Sequence, residues 1–469
     1  IFMLTTFIFS QTKFKDVNEL VKQGEFRKAS SLIDEKLKSS DLSYEEIFQL
    51  QFEKERLERI RKDFNKTSED ILNFVRKYYP NASEDDLIKW EDDGSLEFKI
   101  IDGKKWYFAR AASNLFRINK EAKRQKELVD GPFKDPLDVF LEGYVRKAIA
   151  SAKEKNSRLV NPVKMKLNYT VTVNENAVPE GETIRCWLPF PREGHSRQTD
   201  VKLLGINSDE YVIASNDNQQ RTIYFEKVAQ KDQPTIFNIV LEVTNYAEVN
   251  FINPENIKPY NKNSGLYQIY TSERYPHIVF TDKIKNLSKE IVGDEKNPYL
   301  IAKKIFTWIS ENIPWAGARE YSTIENISDY CISRMHGDCG IKTLLFMTLC
   351  RYNGIPAKWQ SGWMLHPGEV NLHDWSEIYF EGYGWLPVDQ SFGLVNSDNY
   401  DERYFFLGST DSFHLITNDD YSSPLFPTKI FPRSETVDFQ RGELEWRGGN
   451  LYFDKWKYKM EVEYLELNN

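Results

Sequence analysis

The sequence predicts a multidomain α+β protein in which helical, all-β and mixed segments follow one another. Its 469 residues exceed what one hydrophobic core usually organises. Residues 12 to about 150 show mainly helical periodicity, residues 163 to about 250 alternate apolar and polar side chains, and the pattern mixes from about 260. We therefore expect about three or four domains along the chain.

Composition and charge narrow the classes of function. Apolar residues make up 40% of the chain and aromatic residues 14%, which is enough to build packed cores. The formal net charge is −9 and the charges are interspersed, so nucleic acid is not an expected partner. No segment reaches the roughly 18 consecutive apolar residues of a membrane span, and none is expected to cross a membrane.

The first ten residues, IFMLTTFIFS, combine an apolar run with a small residue, Ser10, just before Gln11. This pattern is typical of the end of a secretory signal peptide, so residues 1–10 are predicted to be a signal-peptide remnant. The alternative is a disordered or core-docked terminus. The signal reading predicts a secreted or periplasmic protein.

Residues 12–150 are predicted to form a helical N-terminal region with a winged-helix-like part. Thr67 and Ser83 stand at N-cap positions, each with an Asp three residues later. Asp102-Gly103 lies between two runs of β-forming residues, which predicts a tight hairpin. Because the surrounding sequence is acidic, we expect a structural or protein-interaction role rather than DNA binding.

Residues 163–255 are predicted to form a β-sandwich, and residues 401–469 a β-rich C-terminal extension. In KMKLNYTVTVN the apolar side chains fall on every second residue, as in a strand with one buried face. The stretch NLYFDKWKYKMEVEYLEL in the tail also favours strands. The sandwich is expected to pack against, or position substrate for, its neighbour.

The segment from 260 to 400 contains a cysteine suited to nucleophilic chemistry. In HGDCGIKTLLFMTLC, Gly337 and Gly340 flank Cys339, and an apolar helix follows until Asn353-Gly354. Cys339 is therefore predicted at a helix N-terminus. There the unpaired N–H groups and the helix dipole favour a thiolate and can hold an oxyanion.

The base and its orienting acid are predicted on one β-hairpin. A three-residue loop, Glu381–Tyr383, pairs Phe380 with Gly384 and places His373 and Asp389 on the same face. A loop of even length would move Asp389 to the opposite face. Cys339, His373 and Asp389 are thus the predicted catalytic residues, in the logic of a triad.

Other cysteines and histidines offer alternatives. Cys331 and Cys350 are predicted to be structural. His336, three residues before Cys339, is an alternative base. A zinc site built from Cys331, His336 and Cys339 is a further alternative, although the spacing fits no usual pattern. Our prediction is that the protein uses no metal and no cofactor.

Four motifs occur in order between about 295 and 395: GDCG, RYNGIPA, HDWSEIYF and GWLPVD. With them the segment resembles the transglutaminase-like superfamily of bacterial type. The resemblance implies a papain-like core of helices and antiparallel sheet, with Cys339, His373 and Asp389 as its triad. The preceding β region resembles the sandwich that often precedes such domains in bacterial members.

The resemblance implies acyl transfer through a thioester. The predicted function is a thiol-dependent amide hydrolase, a protease or amidase, acting on a protein, peptide or cell-envelope peptide. One alternative is a protein-glutamine transglutaminase with an amine acceptor, and another is a catalytically silent binding module. Trp315 and Trp375 are predicted to contact substrate, with a core role as the alternative for Trp315.

Overall fold

The computed structural model describes residues 14–467, so the predicted signal-peptide remnant lies outside the described residues. The chain forms two compact units. The first comprises the chain up to Phe133 together with 274–277 and 313–338. The second comprises 134–273, 278–312 and the chain from Cys339 onward. Within the described range, no helix is both long and apolar enough to traverse a lipid bilayer.

Helices occur in both units. In chain order they are α1 (Lys15–Lys22), α2 (Phe26–Lys36), α3 (Tyr44–Asp63), α4 (Ser68–Val75), α5 (Glu84–Asp92), α6 (Ala111–Ile118), α7 (Lys120–Asp130), α8 (Pro136–Lys155), α9 (Gly265–Tyr270), α10 (Asp282–Val292), α11 (Pro298–Asn312), α12 (Ile327–Arg334), α13 (Cys339–Tyr352) and α14 (Tyr400–Arg403). Short 3₁₀ turns add Pro254–Asn256 and Tyr321–Thr323.

Within the part of the chain that the structure describes, the strands form four sheets. In chain order they are β1 (Phe64–Lys66), β2 (Phe98–Ile101), β3 (Lys104–Phe108), β4 (Leu159–Val173), β5 (Thr183–Pro189), β6 (Gln198–Ile206), β7 (Val212–Ile213), β8 (Thr222–Val228), β9 (Thr235–Glu248), β10 (Ala357–His366), β11 (Glu369–Phe380), β12 (Gly384–Val388), β13 (His414–Asn418), β14 (Glu443–Trp446), β15 (Gly449–Leu451) and β16 (Trp456–Leu465).

The first unit packs helices around a small antiparallel sheet of order β1-β3-β2. The predicted cap at Thr67 is confirmed, because its hydroxyl accepts from the Asp70 amide while the Asp70 carboxylate accepts from the Thr67 amide. The predicted hairpin is also confirmed. Asp102 and Gly103 turn between β2 and β3 with positive φ of 51° and 79°, a conformation that Asp and Gly tolerate best.

The second unit contains a sandwich of two sheets, ordered β15-β14-β5-β8-β7 and β16-β4-β9-β6. Its long strands β4 and β9 pair antiparallel, with Leu167 opposite Leu241. The apolar side chains picked out by the alternation are all buried, which confirms the predicted inward face.

A separate antiparallel sheet of the second unit has the order β12-β11-β10-β13. Helix α13 packs against β10 and β11, and Phe346 of α13 meets Phe306 of α11 edge to face, with ring centroids 6.5 Å apart. Tyr169 of the sandwich stacks on Trp363 of β10 at 5.0 Å, so one apolar core continues from the sandwich into this sheet. The predicted α+β class with a papain-like core is confirmed.

The C-terminal tail contributes to every sheet of the second unit. Strand β13 pairs with β10, β14 pairs with β5, and β16 pairs with β4 along ten residue pairs. The tail therefore supplies strands to the sandwich and to the sheet that carries His373.

Candidate active site

Cys339 is the first residue of the 14-residue helix α13. The hydroxyl of Thr343 donates to the Cys339 carbonyl over 2.7 Å, within the first turn of the helix. The predicted position at a helix N-terminus is observed. The thiol therefore lies where helix N–H groups and the dipole favour negative charge.

Exposure separates Cys339 from the other three cysteines. Cys186, Cys331 and Cys350 are buried, whereas Cys339 is partly accessible to solvent. Burial raises the pKa values of the Cys186 and Cys350 thiols well above their ordinary range. Thiol reagents in solution therefore reach Cys339 first.

The hairpin between β11 and β12 brings His373 and Asp389 together. Phe380 pairs with Gly384, the register that the three-residue loop predicts, and the pairing continues to Ser376 opposite Val388. Asp389 follows directly after β12. Its Oδ2 lies 2.6 Å from Nε2 of His373, and both side chains are buried. Since Nε2 faces Asp389, Nδ1 is the nitrogen available for proton transfer with another group.

Backbone groups hold Asp389 as an acceptor. Its Oδ1 accepts from the amides of Ser391 at 2.8 Å and Phe392 at 2.9 Å. These amides come from the chain that turns away after β12. The carboxylate is thus oriented on one side by the backbone and on the other by His373.

Asp374, the residue after His373, contacts the thiol. The Cys339 Sγ donates to Asp374 Oδ2 over 3.4 Å, and Asp374 is almost fully buried. Gln440 donates from Nε2 to Asp374 Oδ1 and to the backbone carbonyl of His373, both at 2.6 Å. Neither Asp374 nor Gln440 was among the predicted site residues, and Gln440 lies on a loop far along the chain.

A second buried histidine shares the Asp389 carboxylate. His414 Nε2 lies 3.0 Å from Asp389 Oδ2, and its Nδ1 lies 2.8 Å from Asp411 Oδ1. Asp411 Oδ2 in turn meets His366 Nε2 at 2.9 Å. The result is a buried hydrogen-bonded network of alternating imidazoles and carboxylates that begins at His373. His414, Asp411 and this use of His366 were not predicted.

Burial and hydrogen-bonded pairing set the charges of the groups in this network. Burial lowers the pKa of His373, and the hydrogen-bonded Asp389 offsets this only in part, so a neutral ring dominates at pH 7. Burial alone would raise the pKa of Asp389, but His373 and His414 outweigh it and hold that pKa well below its usual range. Burial would lower the pKa of His414, yet Asp411 and Asp389 raise it to about 9.

The structure places the two predicted substrate-contacting tryptophans differently. Trp375 is only 1% exposed, its Nε1 donates to Gln360 Oε1 at 2.7 Å, and its ring stacks on His373 with centroids 5.9 Å apart. Its indole therefore supports the His373 ring and has no surface to offer a substrate. Trp315 is 40% exposed, and the Arg117 guanidinium lies 4.7 Å from its ring centroid.

Two groups of side chains in this network contain the kinds of residue that bind metal ions. His366, Asp411 and His414 form one such group, and His373, Asp389 and His414 form another. Each hydrogen-bonded nitrogen–oxygen pair lies between 2.6 and 3.0 Å, so shared protons account for these contacts.

The alternative base and the alternative zinc site gain no support. Burial lowers the pKa of His336 to about 4, so this imidazole is a weak base. Cys331, His336 and Cys339 are not among the groups of possible metal ligands that the described part of the chain contains.

Comparison with protein families supports the resemblance seen in the motifs. Residues 285–390 match the model of the transglutaminase-like superfamily. The matched range contains Cys339, His373 and Asp389, whereas Asp411 and His414 lie beyond its end. The predicted relationship is therefore confirmed for this part of the chain.

Two further kinds of similarity were found. The chain is 25% identical over 248 residues to an uncharacterised protein of Haemophilus influenzae, an alignment that covers 45% of this chain and 64% of that protein. It thus spans less than two thirds of that relative's length. Among solved structures, a candidate cysteine protease from Cytophaga hutchinsonii aligns with a TM-score of 0.44 and 16% identity, over 66% of this chain and 93% of its own. The periplasmic domain of TgpA from Pseudomonas aeruginosa aligns with a TM-score of 0.28 and 14% identity, over 51% and 90%.

Proposed function

We propose that the transglutaminase-like domain at residues 285–390 makes this chain a thiol-dependent amide hydrolase. Cys339 is the proposed nucleophile, His373 the base and Asp389 the residue that orients the base. The domain falls in a superfamily of thiol-dependent hydrolases and acyltransferases, so the proposal concerns which reaction this chain performs and which residues perform it.

The observation that carries the proposal is the hydrogen bond of 2.6 Å between His373 and Asp389. It holds the imidazole in one tautomer, with the proton on Nε2 and the lone pair on Nδ1. In the same unit, the partly exposed Cys339 begins a helix. A nucleophile, a base and an orienting acid are the parts that thiol acyl transfer requires.

In the first half-reaction the Cys339 sulfur attacks the carbonyl carbon of the amide, and Nδ1 of His373 takes the thiol proton. The tetrahedral intermediate carries its negative charge on oxygen, close to the N–H groups that open α13. The C–N bond then breaks while His373 passes its proton to the leaving amine. An acyl-enzyme thioester remains.

In the second half-reaction water attacks the thioester carbonyl as His373 Nδ1 accepts a proton from it. The C–S bond breaks, the carboxylic acid leaves, and the proton returns to the sulfur. If an amine attacked instead of water, the product would be a new amide and the reaction a transamidation. The proposed substrates are proteins, peptides or cell-envelope peptides, and the proposed compartment is secreted or periplasmic.

The experiment that tests the proposal is a panel of peptide, glycan-peptide and cell-wall substrates, run with and without an added primary amine. We expect a free carboxylic acid as product without amine. Cys339→Ala and His373→Ala should each reduce turnover at least about 10³-fold. Cys350→Ala, a buried cysteine on the same helix, is the matched control and should turn over normally.

The other outcomes separate the alternatives. An amide product that dominates when amine is present would favour a transglutaminase. Turnover that survives Cys339→Ala would contradict the proposed nucleophile. A chain without turnover, whose four cysteines react with iodoacetamide equally slowly, would favour a binding module.

A further inference from the structure

The side chain of His414 faces a carboxylate on each side. Nε2 lies 3.0 Å from Asp389 Oδ2 and Nδ1 lies 2.8 Å from Asp411 Oδ1. A neutral imidazole has one donor and one acceptor, so it would direct a lone pair at one of these oxygens. Only the imidazolium can donate to both.

Both carboxylates are placed as acceptors by the backbone. Asp389 Oδ1 accepts from two amides, those of Ser391 and Phe392. Asp411 Oδ1 accepts from the amide of Phe413 at 2.7 Å. Carboxylates oriented in this way favour the ionised form, so His414 is the member of each pair that carries the proton.

At the far end, His366 is arranged as a neutral ring. Its Nε2 meets Asp411 Oδ2 at 2.9 Å, while its buried Nδ1 has no hydrogen-bond partner among the described residues. An imidazolium in this place would leave a buried N–H unsatisfied, which is costly. Among the imidazoles of the described network, His414 is therefore the one whose hydrogen bonds require a positive charge.

We propose that His414 is a positioning residue, an imidazolium that shares Asp389 with His373 and so keeps His373 neutral and Cys339 a thiol before substrate binds. The proposal rests on the triad proposed above. Two imidazolium rings with centroids 5.2 Å apart would repel each other across one shared carboxylate oxygen. A neutral His373 retains its Nδ1 lone pair and waits to accept the thiol proton during attack.

The hydrogen bond that the Cys339 thiol makes with Asp374 agrees with a resting thiol beside a neutral His373. The Cys339 sulfur donates to Asp374 Oδ2 over 3.4 Å, a bond that a thiolate cannot make. The charge of His414 also accords with its pKa, which Asp411 and Asp389 raise to about 9 against the effect of burial. The titratable or charged groups that face His414 from the surrounding elements are Asp389, Asp411, His373, His366 and, through its bond to the His414 carbonyl, Arg197.

The test is the rate of Cys339 alkylation by iodoacetamide as a function of pH, measured on the full chain by mass spectrometry. This readout needs no substrate, so it is independent of whether the chain proves to be a hydrolase. In the native protein the rate should rise in a single alkaline step, without a reactive plateau in the acid range. His414→Gln keeps a donor for Asp389 and removes the charge. Its step should move down by at least about one pH unit, roughly tenfold in rate on the acid side.

A second variant guards against misfolding of the first. Asp411→Asn removes the carboxylate that holds the charge on His414 and should move the step in the same direction. Native His366 contacts Asp411 but not Asp389. The alkylation step of His366→Gln should therefore stay within a few tenths of a pH unit of the native step. A merely structural role would slow alkylation at every pH without moving the step. An unmoved step, or one moved to higher pH, in folded His414→Gln and Asp411→Asn would overturn the proposal.

The charge of His414 can also be observed directly. The chain has six histidines, so labelling histidine with ¹³C at Cε1 gives a spectrum of at most six ring signals. The signal that disappears in His414→Gln should report a charged ring at pH 8. A neutral ring there would overturn the proposal even if the alkylation step moved.

Discussion

At the scale of single residues, the Cys339 thiol has two opposing neighbours. The N-terminus of α13 favours the thiolate, and the carboxylate of Asp374, 3.4 Å from the sulfur, disfavours it. A carboxylate in direct contact acts at shorter range than the partial charge of a helix end. The local balance therefore tends towards a thiol, although helix position alone predicts a thiolate.

This balance predicts that Asp374→Asn makes the thiol more acidic. Removing the negative charge should raise the alkylation rate of Cys339 at pH 7 about tenfold, the effect of about one pKa unit. Glu377→Gln on the same strand is the matched control, because Glu377 is already neutralised by Lys358 at 2.7 Å. An unchanged or slower rate in Asp374→Asn would mean that the carboxylate assists the thiol.

Asp389 is the second residue whose replacement is informative. An Asn in its place can keep the backbone bonds through its carbonyl oxygen, as Asp389 Oδ1 now makes them with Ser391 and Phe392. Its amide group would then face the His373 ring as a donor and force the proton onto Nδ1. Nδ1 could no longer accept the thiol proton.

We therefore expect Asp389→Asn to fold and to lose at least about 10³-fold in kcat, as a wrong tautomer does in triads. Steady-state kinetics on the substrate identified by the panel would measure the loss, with circular dichroism to verify the fold. Asp398→Asn, an exposed position on the following loop, should match the native protein. Near-native turnover in Asp389→Asn would remove Asp389 from the proposed triad.

At the scale of elements, the loop that contains Gln440 clamps strand β11. Gln440 holds the His373 carbonyl and the Asp374 carboxylate. Glu435, on the same loop, accepts from the backbone amides of Gln440 at 2.8 Å and Arg441 at 3.1 Å. The loop thus orients His373 and Asp374 without contributing a reacting group.

Gln440→Ala should loosen this clamp. We expect kcat to fall about tenfold with little change in KM, because orientation rather than substrate contact is lost. The unfolding free energy should drop by about 1–3 kcal/mol, since the buried Asp374 loses a donor. Asn238→Ala removes amide bonds to Asn168 and Thr170 on the sandwich and should cost stability without changing kcat. If Gln440→Ala keeps the native kcat, as Asn238→Ala is expected to, then Gln440 has only a structural role.

At the scale of the whole molecule, the C-terminal tail completes the second unit. A chain that stops before β13 lacks His414 and the strands that pair with β10, β5 and β4. We expect such a chain to lose the fold of the second unit. Alkylation would reveal this, because Cys186, now buried opposite Leu444 of β14, should become reactive. A truncated chain with a protected Cys186 would show that the tail is dispensable.

The part of the site that could be predicted from the sequence is the part set by local geometry. Cys339 opens a helix whose start is marked by glycines, and His373 and Asp389 lie on one hairpin whose register follows from loop length. His414 reaches Asp389 only because β13 pairs with β10, and no tight turn sets that register. The Asp-x-x-His spacing in TDSFHLITN, just before a β-forming run, was the signal available for it.

The charge of His414 also links the stability of the second unit to pH. Its pKa is about 9 in the folded state and near 6.5 when unfolded, so its contribution is fully present below pH 6.5 and is lost as pH rises through 9. A difference of this size corresponds to about 3 kcal/mol. Urea unfolding of the native chain and of His414→Gln should therefore show a wide gap in unfolding free energy at pH 6. That gap should narrow by about this amount at pH 10, because tyrosines and other groups that titrate there are common to both proteins and cancel in the difference. A gap of constant width would mean that folding does not raise the pKa of His414, and would contradict the proposed imidazolium.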